Sequence, residues 1–328
     1  MASQQLPPQL DINPPLLNSA NPWATTLQDL TALFLCPSTG AVTTRTSLVS
    51  GFDHQDAKHQ YLFFSPSGSV STIGAQPNGA DDELASLNTL GYSPITLAGY
   101  LSFIKSIAAE HPSSKKTFII SVTGGPEEVA QSYGMIVDLQ RTVSLSLAME
   151  INLSCPNIPN APPPAYDGAS LQRYLELLSS TPEIPVGIKT PPYTHANDFN
   201  TLVSALAASG NPCNIGFITA TNTLGSCLVL QDTGSGYAPQ LPGSGIGGMA
   251  GPPLHPLALG NVSTIRRKLD EHEGLRHIRI IGVGGVGDAG GYRRMKSVGA
   301  YAVGIGTALG KNGIDVFGGI ETELEGKW

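Results

Sequence analysis

The sequence predicts a closed (β/α)8 barrel on three observations. Eight short apolar runs alternate with segments of helical period along the 328 residues. Polar and reactive residues gather at the carboxyl ends of those runs, and glycine-rich turns follow the last two. An open doubly wound sheet would place a Gly-x-Gly-x-x-Gly turn after its first strand, and none stands there.

In order, the strand candidates are residues 16–20, 40–45, 117–123, 148–154, 186–189, 215–221, 278–283 and 302–306. Helical patterns fill the gaps at 27–35, 96–110, 127–143, 171–179, 198–208, 257–273 and 288–298. The segment 96–110 shows the period well, with Leu97, Leu101, Ile104 and Ala108 on one face. The whole chain, 1–328, reads as one domain with an enlarged loop after the second strand. That loop runs from Arg45 to Asn88 and holds the Ser-, Gly- and Pro-rich stretch 65–82.

Composition narrows the function. With 41% hydrophobic and 13% charged residues the chain can bury a large core. A net charge of −7 without a long basic run argues against nucleic acid or an anionic membrane as main partner. No segment reads as a leader or a membrane span, so a soluble, cytoplasmic protein acting on a small molecule is expected. Cys36, Cys155, Cys213 and Cys227 lie far apart and the seven histidines are scattered, so no metal site is expected and the thiols should be free.

The strand ends carry the chemistry. Ile151-Asn152-Leu153-Ser154-Cys155-Pro156-Asn157 closes a buried strand with two amides around a thiol. Amides donate and accept, and a thiol near its ordinary pKa can serve as base or nucleophile. Lys189 closes the next strand, where burial without an anion is costly. It suits either a Schiff base or the edge of an electron-rich cofactor ring. After the last two strands, Gly284-Gly285 and Gly306-Thr307 leave backbone amides open to an anion, at the barrel's usual phosphate position. Alone, Asn152 or Asn222 would read as a turn residue and Cys155 as a small hydrophobe. Cys36, Cys213 and Cys227 read as structural, and His195 and His255 as surface or packing residues.

Together, Asn-Leu-Ser-Cys-Pro-Asn at 152–157, Gly-Ile-Lys-Thr-Pro-Pro-Tyr at 187–193, Thr-Asn-Thr-Leu-Gly at 221–225, Gly-Ile-Gly-Gly at 245–248 and the two glycine turns resemble the dihydroorotate dehydrogenase family. The resemblance runs through most of the chain. It is closest to the soluble, fumarate-linked class 1A, because Cys155 stands at the base position and no membrane-binding extension precedes the barrel. It implies FMN across the barrel mouth and oxidation of dihydroorotate in pyrimidine biosynthesis. Cys155 would take the C5 proton while hydride passes to flavin N5, and fumarate would reoxidise the cofactor. Lys189 would face the flavin's N1 and O2 edge. The implied cofactor contacts are Ser19, Ala20, Thr44, Arg45, Asn152, Lys189, Thr221, Gly247, Gly248, Gly284, Gly285, Gly306 and Thr307. The implied substrate contacts are Arg45, Asn88, Leu90, Gly91, Asn152, Asn157, Asn222 and Thr223. A homodimer is implied as well.

Three departures bear on the substrate. Thr43-Thr44-Arg45-Thr46 replaces the family's Thr-Lys-Ser, and arginine is a planar, permanently charged fork that lysine is not. The segment from Arg45 to Asn88 is enlarged, and Asn88-Thr89-Leu90-Gly91 keeps only the amide and the glycine of the family's substrate loop. A paralogue oxidising or reducing another cyclic substrate, or a flavin-binding barrel without turnover, is the alternative.

Overall fold

The computed structural model describes residues 6–65, 71–73, 85–154, 163–178 and 181–328. Along the chain, β1 (Leu16–Asn18), α1 (Leu27–Leu35) and β2 (Ala41–Thr43) open the fold. An excursion then supplies β3 (Tyr61–Phe64), β4 (Ser71–Ile73) and β5 (Ala85–Asn88) before α2 (Leu97–Glu110). Regular alternation follows through β6 (Thr117–Val122), α3 (Pro126–Gln140), β7 (Leu147–Asn152), α4 (Gly168–Glu176), β8 (Val186–Lys189), α5 (Ala196–Ala208) and β9 (Phe217–Ala220). A second excursion holds β10 (Leu224–Cys227), β11 (Leu230–Asp232), β12 (Tyr237–Pro239) and β13 (Gly247–Ala250). The chain ends with α6 (His255–Asp270), β14 (Arg279–Val283), α7 (Ala289–Ser297), β15 (Ala302–Ile305), α8 (Thr307–Asn312) and α9 (Asp315–Glu323).

Eight of these strands close into a parallel barrel in the order β1-β15-β14-β9-β8-β7-β6-β2. All eight strand candidates from the sequence fall on barrel strands, and the (β/α)8 reading holds. Helix starts follow local capping chemistry. Thr26 and Asp29 form a reciprocal box at α1, where Asp29 N donates to Thr26 Oγ1 (3.1 Å) and Thr26 N to Asp29 Oδ2 (2.9 Å). At α4, Asp167 accepts from Ser170 N at 2.7 Å, which starts the helix at Gly168, three residues before the apolar period becomes visible.

Alternation along each strand sorts side chains into two sets. One set packs outward against the helices and includes Ile120, Met149, Ile151, Ile188 and Ile218. The other fills the barrel's lower interior with Leu17, Ala41, Ile119, Ala148, Phe217, Ile281 and Ala302, joined by Leu10 and Ile12 from the N-terminal segment. Phe217 lies where any side chain on Gly187 would have to go, so large and small residues interlock across neighbouring strands. One step further up the strands, the inward positions turn polar, with Ser121, Glu150 and Thr219 all buried.

The described part of the enlarged loop carries strands that a loop reading does not predict. Its strands β3, β4 and β5 join β10 and β13 in a five-stranded antiparallel sheet, order β10-β13-β5-β3-β4. Asn88 is the hinge of that register, paired with Tyr61 on one side and Gly248 on the other. Leu62, Phe64, Ala85, Leu87 and Leu241 form a separate small core beneath it. Of the stretch 65–82, Ser65 and residues 71–73 are described. These strands escape the sequence reading because no helical pattern separates them and the Ser-, Gly- and Pro-rich stretch between β3 and β5 reads as loop. No helix among the described residues is long and apolar enough to cross a membrane.

Candidate active site

A cavity of about 580 Å³ opens at the carboxyl ends of the barrel strands. Its floor is set by register: Asn152 on β7 pairs with Lys189 on β8, which pairs with Thr219 on β9. Lys189 is only 4% exposed, and its ammonium has no hydrogen-bond or ion-pair partner among the described residues. Such a group is expensive to bury and calls for an anion or an electron-rich edge in the cavity.

The neighbouring amides are locked. Asn152 Nδ2 donates to Thr46 Oγ1 at 2.9 Å, and Asn152 Oδ1 accepts from Ser154 Oγ (3.0 Å) and Asn222 Nδ2 (3.3 Å). Asn222 Nδ2 also donates to Ser154 Oγ at 3.0 Å, and its Oδ1 accepts from Thr223 N at 2.8 Å. Below them, Thr46 Oγ1 and Ser121 Oγ lie 2.9 Å apart, and Ser121 Oγ donates to Glu150 Oε1 at 2.8 Å. Thr219 Oγ1 donates to the other carboxylate oxygen at 2.6 Å. Glu150, 2% exposed, is therefore held by two hydroxyls and anchors the network that orients the floor.

One wall comes from the excursion sheet. Asn88 Nδ2 donates to Gly248 O at 3.1 Å, and Asn88 Oδ1 accepts from Leu90 N at 3.2 Å. Arg45 Nη2 reaches Gly91 O at 3.3 Å, and Asn88, Leu90, Gly91 and Arg45 all line the cavity. Ser86 and Thr307, 2.8 Å apart through their hydroxyls, tie this sheet to the glycine end.

That end is built on β14 and β15. Gly284 (φ +142°) and Gly285 (φ +68°) turn in the left-handed region, and a Cβ on Gly285 would lie 2.7 Å from Gly251 O and 2.8 Å from His255 Cβ. His255 Nδ1 lies 2.7 Å from Gly284 O, while Arg294 Nε donates to His255 Nε2 at 3.0 Å. An arginine Nε is always a donor, so Nε2 is the acceptor and the ring proton sits on Nδ1, bonded to the Gly284 carbonyl. Ser19, Ala20, Gly306 and Thr307 complete this part of the lining.

Of the residues the sequence singles out, Ser19, Ala20, Arg45, Asn88, Leu90, Gly91, Asn152, Lys189, Thr221, Asn222, Thr223, Gly284, Gly285, Gly306 and Thr307 all face this one cavity. Thr44, Gly247 and Gly248 stand behind it: Thr44 Oγ1 accepts from Ser121 N at 3.1 Å, and the two glycines back Asn88. Cys155 and Asn157 lie outside the described residues. The sequence reading missed Trp23, Tyr61, Tyr92, His255 and Arg294 in the lining. His255 is a buried packing residue, as one half of its sequence reading has it, and it also supports the first glycine turn; its position three residues after Pro252 carries no signal of that by itself. Cys213 and Cys227 are free and buried enough that burial pushes both thiols up, as fits structural residues. No group of three metal-ligating side chains occurs among the described residues.

A model of the family described as "Dihydroorotate dehydrogenase" matches residues 71–327. "Dihydroorotate dehydrogenase (fumarate)" of Trypanosoma cruzi is 29% identical over 311 residues, 94% of this chain and 88% of that protein. Relatives from Streptococcus agalactiae serotype Ia and Streptococcus pneumoniae serotype 4, whose names assign them provisionally to dihydroorotate dehydrogenase A (fumarate), are each 32% identical over 251 residues. Those matches cover 76% of this chain and 75% of each relative. A barrel with this strand-end constellation and matches of this extent together mean that the chain is an oxidoreductase belonging, as a divergent member, to the dihydroorotate dehydrogenase family.

Proposed function

We propose that this chain binds FMN in the cavity and oxidises dihydroorotate to orotate in pyrimidine biosynthesis, with fumarate as electron acceptor. The observation that carries the reading is a buried Lys189, without a partner among the described residues, in the same cavity as a locked Asn152–Asn222 floor and a glycine-lined anion cradle. The residues fit the cofactor: the cavity has room for it, and Gly284, Gly285, Gly306 and Thr307 would hold its phosphate. Lys189 would supply positive charge to the ring. When bound, FMN supplies the two-electron acceptor.

The chain's own residues do the rest. Asn152, Asn222 and Asn88 present amide edges whose partners already fix their orientation, which suits a planar ring with alternating donors and acceptors. Cys155, next in sequence to the tethered Ser154, is assigned as the base that takes the C5 proton as hydride leaves C6. The ring gains its C5–C6 double bond, and fumarate takes up two electrons and two protons. A cytoplasmic homodimer is part of the same reading.

Arg45 favours a second reading, a paralogue with another cyclic substrate, because its guanidinium reaches Gly91 O on the substrate wall where the family carries lysine. The test is anaerobic. Purified protein should show a flavin spectrum, dihydroorotate should bleach it, and fumarate should restore it. A flavin spectrum that dihydroorotate leaves unchanged points to the paralogue or to a barrel without turnover, and a colourless chain that takes up no FMN overturns the proposal.

A further inference from the structure

We infer that Arg294, held in place by His255, makes the cavity select a phosphorylated flavin over its dephosphorylated form. The inference rests on the FMN reading and adds a specificity residue to it.

Three observations converge. Arg294, on α7, lines the cavity at its glycine end together with Gly284, Gly285 and Gly306. Its Nε is spent on His255 Nε2, and the guanidinium has no carboxylate partner among the described residues. His255 in turn is fixed by the Gly284 carbonyl through Nδ1. The relay therefore couples the position of the charge to the backbone turn that offers amides to the anion. A phosphate monoester carries close to two negative charges at neutral pH, and a guanidinium anchored through Nε still presents its Nη donors. Asp288 lines the same end, and its Oδ1 accepts from Gly291 N at 2.6 Å to cap α7. Arg294 offsets that acid where an incoming dianion would meet it.

A neutral ligand tail would gain nothing from this arrangement. Riboflavin shares the ring and ribityl chain of FMN but lacks the phosphate, so the ratio of the two affinities isolates the contribution of the cradle. Loss of fold or of ring contacts would weaken both ligands together, which makes the ratio insensitive to a merely structural role.

The test uses the full chain stripped of flavin and titrated with FMN and with riboflavin by fluorescence quenching at several salt concentrations. Arg294→Gln should weaken FMN about tenfold, leave riboflavin unchanged and flatten the salt dependence of FMN binding. Arg294→Lys keeps the charge but loses the planar Nε anchor, so it should recover only part of the preference. His255→Leu, which frees Arg294 while keeping its charge, should also lower the FMN-to-riboflavin ratio. Equal losses for both flavins, or an unchanged ratio in Arg294→Gln, would overturn the assignment of Arg294 while leaving the glycine cradle standing. A wild-type chain that binds neither flavin overturns the FMN reading and this inference together.

Discussion

Replacing Lys189 with methionine should raise the stability of the flavin-free chain while impairing its function, because the wild-type ammonium is buried at 4% exposure without a partner among the described residues. Methionine keeps much of the side-chain volume and removes the charge. An ion buried without a contact partner costs several kcal/mol, but the cavity leaves this one part of its hydration and Glu150 attracts it from one layer below, so the return should be about 1 kcal/mol. In a chain of this size that is about 2 °C in Tm. FMN at a hundredfold excess over Kd adds about 2.7 kcal/mol to the wild type, whereas a variant binding tenfold more weakly would gain only about 1.4 kcal/mol. The variant should therefore melt higher than wild type without flavin and lose that advantage with it. Scanning fluorimetry with and without FMN measures both numbers. Loss of positive charge beside the ring should also move the bound flavin's midpoint potential to a more negative value. A lower flavin-free Tm would show that the ammonium costs the fold nothing, and an advantage undiminished by FMN that the cofactor makes no use of its charge.

Three further outcomes follow from the same geometry. Gly285→Ala places a Cβ 2.7 Å from Gly251 O at φ +68°, so it should cost about 1–3 kcal/mol in urea melts and weaken FMN more than tenfold; unchanged affinity would remove Gly285 from the cradle. Cys155→Ala should slow reduction by dihydroorotate at least about a hundredfold with FMN affinity intact, and parallel loss of both would contradict its assignment as base. Burial lowers Lys116 to about 8 although its Nζ donates to Phe34 O, Cys36 O and Thr39 Oγ1. Between pH 8 and the ordinary lysine value the unfolded chain holds the extra proton, so this group makes the fold more stable as pH rises through that window and less stable as pH falls back through 8. Urea melts of wild type and Lys116→Met at pH 7.5 and 10 should show that slope difference, and parallel pH profiles would exclude it.

The barrel was legible because its strands obey simple rules: each is a short apolar run, and the residues at their carboxyl ends share one location only if the barrel closes. Lys189 and Asn152, 37 positions apart in sequence, become neighbours through a parallel register that the alternation of elements already implies. The excursion sheet was not legible. Its pairing of β5 with β13 joins segments about 160 residues apart, and these strands lack the alternating helices whose regular spacing announces the partners of equally short barrel strands. The relay from Arg294 through His255 to Gly284 was hidden for a different reason. A histidine at a helix start and an arginine on a helix surface look like ordinary packing and solvation, and only the fold shows that both border the same glycine turn.

Polarity inside the barrel rises along the strand direction, and this gradient connects folding to chemistry. The lower layer is apolar and closely interlocked, so it can supply the stability that the upper layer consumes. Above it, Glu150 is a buried carboxylate held by Ser121 and Thr219, with no cation in hydrogen-bond contact among the described residues. Above that stands an ammonium without an acceptor among the described residues. Two opposite charges one layer apart in a low-dielectric interior attract even without touching, so Glu150 adds negative potential beneath Lys189 while Ser121 and Thr219 hold its two carboxylate oxygens in place. A direct pair would satisfy both charges and leave the cavity floor neutral. The separation instead keeps a cation available to whatever the cavity binds, and Glu150→Gln, nearly isosteric, removes a negative charge beneath the site and should raise the midpoint potential of bound flavin, opposite in direction to Lys189→Met and smaller. A potential unchanged or lowered by Glu150→Gln would show that the field of the layer beneath does not reach the cavity.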